Sequence, residues 1–294
     1  MSSARLKLPD SFKDYYSFDE IIGLQERMLN TDISELDLSG ISFFEPFSMV
    51  SLLLLGRNYL RDTGKRLFLV NIPLKIHQYL LRMDFEKKGI FQIEEKLPES
   101  YYLKRSAFSK SVIEITDIPN KERESVKAIT NTISLFRRRA NHILKYWMSG
   151  GVVDYFVTVI SELCQNVFEH SLDSGYLAIQ TYSFGTEHIL RLVICDSGIG
   201  IRESFAQKKE VRYESHAELI EMALTTNLSS KREFGYGLSQ VNMIMEKLKG
   251  SIYIRSEDAS VSVVYKGKHG SSRFFLKNNL IPFRGTQISI SLSG

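Results

Sequence analysis

The sequence predicts a two-domain α/β protein, and three observations carry that prediction. The chain has 294 residues, the length of one large or two ordinary domains, and 43% of them are hydrophobic. A strand, helix, strand pattern occupies its first part, whereas its later part has helices followed by alternating strands. The stretch IPNKERES, Ile118 to Ser125, joins a proline to a dense charge run. We therefore predict domains at 1–118 and 128–294, joined by a linker at 119–127.

The composition excludes several classes of protein. The 38 basic and 34 acidic side chains leave a net charge of +4, a weak reason to invoke nucleic acid, so no nucleic-acid partner is expected. The two cysteines, Cys164 and Cys195, are too few for a disulfide framework and favour a cytoplasmic location. The longest apolar run, around MVSLLLLG, is shorter than the roughly 20 residues that span a bilayer, so no membrane association is expected.

In the first domain we predict strands at ISELDLS (33–39) and RLFLVNI (66–72). Between them, residues 47–61 have apolar side chains at helical spacing, and Gly64 ends that helix. The three elements form a βαβ unit. A second helix at 74–85 and a weak edge strand at 89–95 complete this domain.

In the second domain we predict helices from Glu122 to about Met148 and from Val153 to about Ser171. Two strands follow, YLAIQTY and HILRLVICD, and then a polar stretch. A helix from Leu238 to Lys249 ends at Gly250. The last segments, SIYIRSE, VSVVYKG, RFFLK and TQISISL, alternate as antiparallel strands. We expect the helices on one face of a mixed sheet.

The first group of candidate residues lies in SELCQNVFEHS, 161–171. At 100° per residue, one narrow stripe of the helix carries Glu162, Asn166, Glu169 and His170. A solvated helix face would have the same pattern. The apolar residues that flank the stripe favour a face that lines a cleft.

The second group lies in LRLVICDSGIGI, 190–201, where an apolar strand ends at Asp196. An aspartate so placed can accept a hydrogen bond from an exocyclic amine. Gly198 and Gly200 allow a tight turn and the close approach of a flat ligand. An ordinary turn after a strand would use the same residue types.

The third group lies in KREFGYGLSQ, 231–240. Gly235 and Gly237 precede an amphipathic helix, so backbone N–H groups and the positive end of the helix dipole are offered to an anion. Lys231 and Arg232 add positive charge where phosphates would lie. A flexible loop is the alternative for such a short glycine pattern.

The order of the three groups, closed by Gly285 and Thr286 before the last strand, resembles the GHKL superfamily of ATPases. This superfamily includes gyrase, ninety-kilodalton heat-shock chaperones, histidine kinases and mismatch-repair ATPases. The resemblance covers about residues 125–294. It implies a GHKL (Bergerat) α/β sandwich, with helices packed on a mixed, largely antiparallel sheet, that binds ATP with Mg²⁺.

The resemblance also implies a role for each residue. Asn166 would help hold Mg²⁺, and Glu162 would be the general base. Asp196 would read the adenine amine, with Thr286 supporting it through a bound water. The remaining contacts would come from Gly198 and Gly200 at the adenine, from Lys231, Gly235, Gly237 and Leu238 at the phosphates, and from a mobile lid at 202–234. Glu169 departs from the pattern, because sensor kinases often have a basic residue there.

The first 118 residues resemble STAS domains, the fold of anti-sigma-factor antagonists, through the stretch LDLSGISFFEPFSMVSLLLLG. The acidic residue, acceptor serine and glycine of that family align with Glu45, with Pro46 or Phe47, and with Ser48. The acceptor is therefore lost, and Ser48, displaced from its position, is expected as a helix cap rather than a phosphorylation site.

Together the two resemblances imply a bacterial partner-switching regulator that transfers phosphate from Mg·ATP to a serine or threonine of a protein. The partner would be a STAS-type antagonist, a sigma factor or a similar regulator, and a homodimer is left open. No phosphoacceptor motif surrounds His142, which argues against a histidine kinase. A non-catalytic ATP-gated binding protein and a simple ATPase are the alternatives.

Overall fold

A computed structural model gives the chain as two units, Met1–Ser109 and Lys110–Gly294. Each unit has its own sheet. Within the described part of the chain, no helix combines the length and apolarity that crossing a membrane requires. The structure describes residues 4–10, 15–30, 33–93, 96–98, 100–103, 111–120, 126–146, 148–185, 187–206, 211–228, 237–265 and 272–293.

The first unit is a parallel sheet whose strands are joined by helices. Its strands, in the order β1-β2-β3-β4 across the sheet, pair in parallel. In chain order the elements are β1 (Ala4–Lys7), α1 (Tyr15–Asn30), β2 (Ile33–Asp37), α2 (Pro46–Thr63), β3 (Phe68–Val70), α3 (Leu74–Arg82), β4 (Gln92–Ile93) and α4 (Ser100–Leu103).

The βαβ prediction is confirmed by β2, α2 and β3. Helix α2 begins with Pro46 at its first position and ends at Gly64, whose φ of 71° is the left-handed conformation that glycine adopts readily. The edge strand is confirmed but shorter than expected, two residues in β4. The sequence interpretation missed β1 and α1; in α1, Phe18, Ile21 and Ile22 are buried at helical spacing.

Ser48 lies inside α2 and is completely buried. The N-cap of this helix is Glu45, so the expected capping role of Ser48 is wrong. Its hydroxyl has no hydrogen-bond partner within the described residues. A protein kinase cannot reach a serine at this depth without opening the unit.

The second unit is a seven-stranded sheet in the order β10-β9-β8-β11-β7-β6-β5, and every neighbouring pair is antiparallel. The expected mixed sheet is therefore antiparallel throughout its described strands. The strands are β5 (Val112–Ile118), β6 (Gly175–Phe184), β7 (Glu187–Asp196), β8 (Ser251–Glu257), β9 (Ala259–Val264), β10 (Arg273–Lys277) and β11 (Phe283–Ser293).

The helices of this unit are α5 (Val126–Leu144), α6 (Gly150–His170), α7 (Gly200–Phe205), α8 (His216–Thr225) and α9 (Gly237–Leu248). They share one hydrophobic core with a face of the sheet. A row of residues in register crosses five neighbouring strands on that face and belongs to the core: Val261, Ile254, Ile288, Ile194 and Leu177. The core therefore fixes the ends of β7 and β11 beside α6.

The structure divides the chain earlier than the sequence interpretation does. Strand β5, at 112–118, pairs with β6 and so belongs to the second unit, and the division falls between Ser109 and Lys110. Pro119 and the charge run follow this strand rather than a domain end. Residues 121–125 of the predicted linker, where the first long helix was expected to begin, lie outside the described residues.

Candidate functional site

A cavity of about 370 Å³ lies between the helices and the ends of two central strands of the second unit. This volume is within the range of small-molecule sites, roughly 300–1,000 Å³. Seven predicted site residues line it: Glu162, Asn166, Asp196, Gly200, Gly237, Leu238 and Thr286. Apolar side chains complete its wall, among them Leu163, Ile194, Ile201, Phe205 and Ile288.

Helix α6 provides the polar wall of the cavity. Glu162 and Asn166 lie one turn apart and are half-buried. An adjacent face of α6 carries Phe156, Leu163 and Val167 into the core, which leaves the polar stripe turned towards the cavity. The alternative of a fully solvated face is therefore wrong.

The N-terminus of α9 faces the same stripe. A side chain at position 237 would begin 3.1 Å from Asn166 Oδ1 and 3.6 Å from Glu162 Oε2. Gly237 thus leaves room at the point where the helix presents its first N–H groups. An anion at this end of the cavity would meet Asn166, Glu162 and the helix N-terminus together.

Asp196, the last residue of β7, forms the buried end of the cavity. Its Oδ1 accepts hydrogen bonds from Ser171 Oγ at 2.7 Å and from the backbone N–H of Gly198 at 2.9 Å. Burial raises the pKa of its carboxyl to about 6, although Ser171, Gly198 and the backbone of Thr286 oppose the rise. Burial therefore destabilises the ionised form of the Asp196 carboxyl in the folded protein.

Gly285 brings Thr286 beside Asp196. Its φ is 83°, and a side chain there would begin 2.1 Å from the carbonyl oxygen of Asp196. Only glycine fits both conditions. The pairing of β11 with β7 then sets Gln287 opposite Cys195, so Thr286 reaches the end of the strand that carries Asp196.

Gly198 does not line the cavity, contrary to the expectation that it shapes a ligand pocket. It packs against the end of α6, where a side chain would begin 1.8 Å from the carbonyl oxygen of Ser171. The N–H of Ile199 donates to that same oxygen at 3.0 Å. Gly198 thus allows the turn after β7 to bind the C-terminal end of α6.

The predicted lid region is partly helical. The N-cap of α8 is Ser215, and His216 Nδ1 lies 2.6 Å from Asp258 Oδ1 in the turn between β8 and β9. Arg202 of α7 contacts the same carboxylate at 3.4 Å. Burial alone would raise the pKa of Asp258, but the His216 hydrogen bond and the Arg202 charge lower it. These contacts hold α7 and α8 against the turn between β8 and β9. The motion of a lid at 202–234 stays a prediction.

Two of the residues predicted to contact phosphates, Lys231 and Gly235, lie outside the described residues, as do positions 229–236 altogether. Sequence reasoning missed Ser171 and Gln165, which also line the cavity. Gln165 Nε2 donates to Glu169 Oε1 at 2.7 Å and so fixes that carboxylate at the cavity wall. The sequence feature that could have indicated Gln165 is its position beside the polar stripe of α6. For Ser171 that feature is a hydroxyl-bearing residue directly after His170.

The described residues contain no group of three or more histidine, cysteine, aspartate or glutamate side chains that could hold a metal ion alone. Magnesium rarely uses such a cage, because it keeps water and phosphate oxygens among its ligands. The amide oxygen of Asn166, beside the N-terminus of α9, is the kind of single protein ligand that Mg²⁺ accepts with a nucleotide. The residues present therefore fit the ion.

Gly198→Ala is expected to lower the free energy of unfolding by about 3 kcal/mol, because the new methyl group collides with the backbone of Ser171. Thermal or urea unfolding without nucleotide measures the loss. Gly151→Ala is the control, since nothing lies within 4 Å of its added methyl group inside α6, and a gain of about 0.5–1 kcal/mol is expected. Equal stability of both variants would contradict the packing role.

The Asp196 carboxyl is expected to make stability pH-dependent. Its folded-state pKa of about 6 lies above the ordinary 3.8, so the folded state binds more protons between these values, and stability falls as pH rises through that window. The loss is on the order of 3 kcal/mol. Urea unfolding from pH 4 to 7, compared with Asp196→Asn, isolates this group. A difference between the two proteins that does not change with pH would refute it.

Residues 151–291 match the family model described as histidine kinase-, DNA gyrase B-, and HSP90-like ATPase. A search of curated proteins gave no match to the chain. All residues that line the cavity fall within the matched range. The match confirms the GHKL assignment of the second domain and implies that the domain binds ATP. Residues 151–291 thus form a domain of the histidine kinase-, DNA gyrase B- and HSP90-like ATPases.

Proposed function

We propose that the protein is a Mg·ATP-dependent serine/threonine protein kinase of the anti-sigma-factor type. One observation carries the proposal: α6, β7, α9 and β11 contribute to a single cavity inside a domain of an ATP-binding family. Glu162 and Asn166 lie at one end of that cavity, and Asp196 lies at the other. A general base and an adenine acceptor separated in this way suit one extended nucleotide.

At the adenine end, Asp196 accepts a hydrogen bond from the exocyclic amine. Ser171 and Gly198 both donate to Oδ1, which fixes the carboxylate plane before ligand arrives. Ile194 and Ile288 offer apolar surface to the base. Gly200 and Thr286 complete this end of the site.

At the phosphate end, Gly237 and Leu238 present the N-terminus of α9 to the nucleotide, and Asn166 would hold Mg²⁺. When bound, the ion neutralises charge on the phosphates. Lys231 and Gly235 belong to this end in the proposal. The phosphates would therefore meet a helix dipole and backbone N–H groups, while the amide oxygen of Asn166 would face the ion.

Glu162 is the proposed base for phosphoryl transfer. Its carboxylate takes the proton of a serine or threonine hydroxyl of the partner protein while that oxygen attacks the γ-phosphorus. The bond between the γ-phosphorus and the β–γ bridging oxygen breaks, and ADP leaves. The partner keeps the phosphoryl group.

The first unit acts as a docking or autoregulatory STAS-like domain in this proposal. The burial of Ser48 favours docking over phosphorylation of the unit itself. The expected partners are a STAS-type antagonist or a sigma factor. Such a protein would bring its acceptor hydroxyl to the mouth of the cavity.

A second candidate is an ATP-gated binding protein without turnover, and Glu169 favours it. This carboxylate lines the cavity and is fixed by Gln165. A negative charge near the phosphates opposes the charge that develops during transfer. ATP would then order the site and change which partner is bound.

ATP labelled in its γ-phosphate separates the candidates. The purified chain is incubated with Mg²⁺, labelled ATP and an antagonist protein of the STAS type. Label on the antagonist supports the kinase, and free labelled phosphate supports an ATPase. Retention of intact ATP supports the gated binding protein. Absence of ATP binding would refute all three.

A further inference from the structure

The outer edge of the second unit's sheet takes no part in the nucleotide cavity. Strand β10 is the last strand of the sheet and pairs only with β9 among the described strands. No residue of either strand lines the cavity. An edge strand that has unpaired backbone groups can bind a further strand.

This edge exposes large apolar side chains. Phe275, in the middle of β10, is 52% exposed, and Val264 of β9 is 41% exposed. Val264 is paired with Arg273, two residues from Phe275, so the two apolar side chains share one face of the sheet. An exposed aromatic ring in the middle of an edge strand offers apolar surface that an added strand could cover.

The edge strand itself carries only basic charge. Its sequence is RFFLK, so Arg273 and Lys277 begin and end β10 and no aspartate or glutamate lies between them. Both lie on the face that carries Phe275, because side chains alternate along a strand.

We propose that β10 binds an extended, acidic segment of a partner protein, which adds to the sheet as a further strand. The register favours a segment with acidic residues four positions apart, opposite Arg273 and Lys277, and an apolar residue midway, opposite Phe275. Direct cross-strand pairs of opposite charge and of apolar side chains stabilise such an addition.

Other occupants fit this edge less well. A second copy of the chain, paired through its own β10, would set Arg273 against Lys277 and oppose like charges. Nucleic acid and anionic lipid match the charge but cannot form the backbone hydrogen bonds that an edge strand offers. A polypeptide uses the charge, the apolar surface and the backbone together.

The test uses the full chain and a labelled peptide with two glutamates four positions apart around a central valine, flanked by threonines. Fluorescence anisotropy measures binding at low salt. A peptide with lysines in place of the glutamates, single-stranded DNA and phosphatidylserine vesicles are the comparison ligands. The charge-reversal variant is Arg273→Glu/Lys277→Glu, and its matched control is Arg138→Glu/Lys145→Glu, two exposed basic residues outside the edge.

We expect the glutamate peptide to bind the wild type and the control variant alike. The charge-reversal variant should bind it about tenfold more weakly or worse, and should now bind the lysine peptide. Phe275→Thr, which keeps a residue suited to a strand, should weaken binding without changing the preference for charge. Circular dichroism of each variant verifies that the fold is retained.

Four results would overturn the proposal: no binding of the glutamate peptide, binding that survives charge reversal in a folded variant, binding of DNA or vesicles but not of the peptide, or self-association of the wild type that charge reversal removes. ATP binding is measured in the same samples. Its presence or absence does not enter this test, because β10 contributes nothing to the cavity.

Discussion

Replacing Glu162 with alanine is expected to leave ATP bound while kcat for phosphoryl transfer falls by about 10²–10⁴-fold. Glu162 lies one turn from Asn166 on α6, at the end of the cavity where the N-terminus of α9 would meet phosphates. The variant loses the group that accepts the hydroxyl proton but keeps the adenine end intact. Labelled transfer to a partner gives kcat, and isothermal calorimetry gives the Kd of Mg·ATP.

Asp154→Ala is the matched control for this experiment. Asp154 is an exposed carboxylate on the same helix, two turns away from Glu162 and outside the cavity. It should leave both kcat and Kd unchanged. Unaltered turnover in Glu162→Ala would remove this residue from the proton transfer, and a large rise in Kd for Mg·ATP would assign it to binding instead.

The parts of the site that the sequence predicted are those set by local periodicity. Glu162 and Asn166 share a helix face because four residues make about one turn, and that geometry needs no knowledge of the rest of the chain. Asp196 follows an apolar strand, so its place at a strand end is also a local property. That these residues converge on one cavity was not a local property. It was predicted from the order of the three motifs along the chain, through the resemblance to the GHKL superfamily.

The parts that the sequence did not predict depend on contacts between distant segments. Gly198 has the same local signal whether it faces a ligand or another backbone, and only the fold sets it against Ser171, 27 positions earlier. From the sequence alone, strand β5 looks like the end of the first domain. Its pairing with β6 is what assigns it to the second unit. Both errors arise where tertiary contacts decide between two equally plausible local interpretations.

Helix α8 shows a different limit. Its stretch HAELIEMALT has good helix formers, and Leu219, Ile220 and Ala223 are buried, yet the polar residues around it led to the prediction of a changeable segment. The contact between His216 and Asp258 crosses 42 positions of sequence. The local sequence does not indicate this contact, although the contact holds the helix against the sheet.

Asp196→Asn is expected to weaken ATP binding about 100-fold, the largest loss of affinity expected from one atom-for-atom replacement in the site. Asparagine keeps an oxygen that Ser171 Oγ and the Gly198 N–H can meet. Its amide group then faces the adenine amine, so two donors oppose each other in a buried place. The variant should also unfold at higher urea concentration than the wild type at pH 7, because burial of the ionised carboxyl no longer costs stability.

Comparison of three ligands locates the loss within the cavity. Asp196→Asn should reduce the affinity for ATP, ADP and adenosine by similar factors, because all three carry the adenine amine. Asn166→Ala should reduce the affinity for ATP and ADP in the presence of Mg²⁺ but leave that for adenosine unchanged, since adenosine has no phosphate to share an ion. Calorimetry with each ligand separates the patterns. If Asp196→Asn weakened ATP alone, or Asn166→Ala weakened adenosine, the nucleotide would lie in the cavity in the opposite direction from the one proposed.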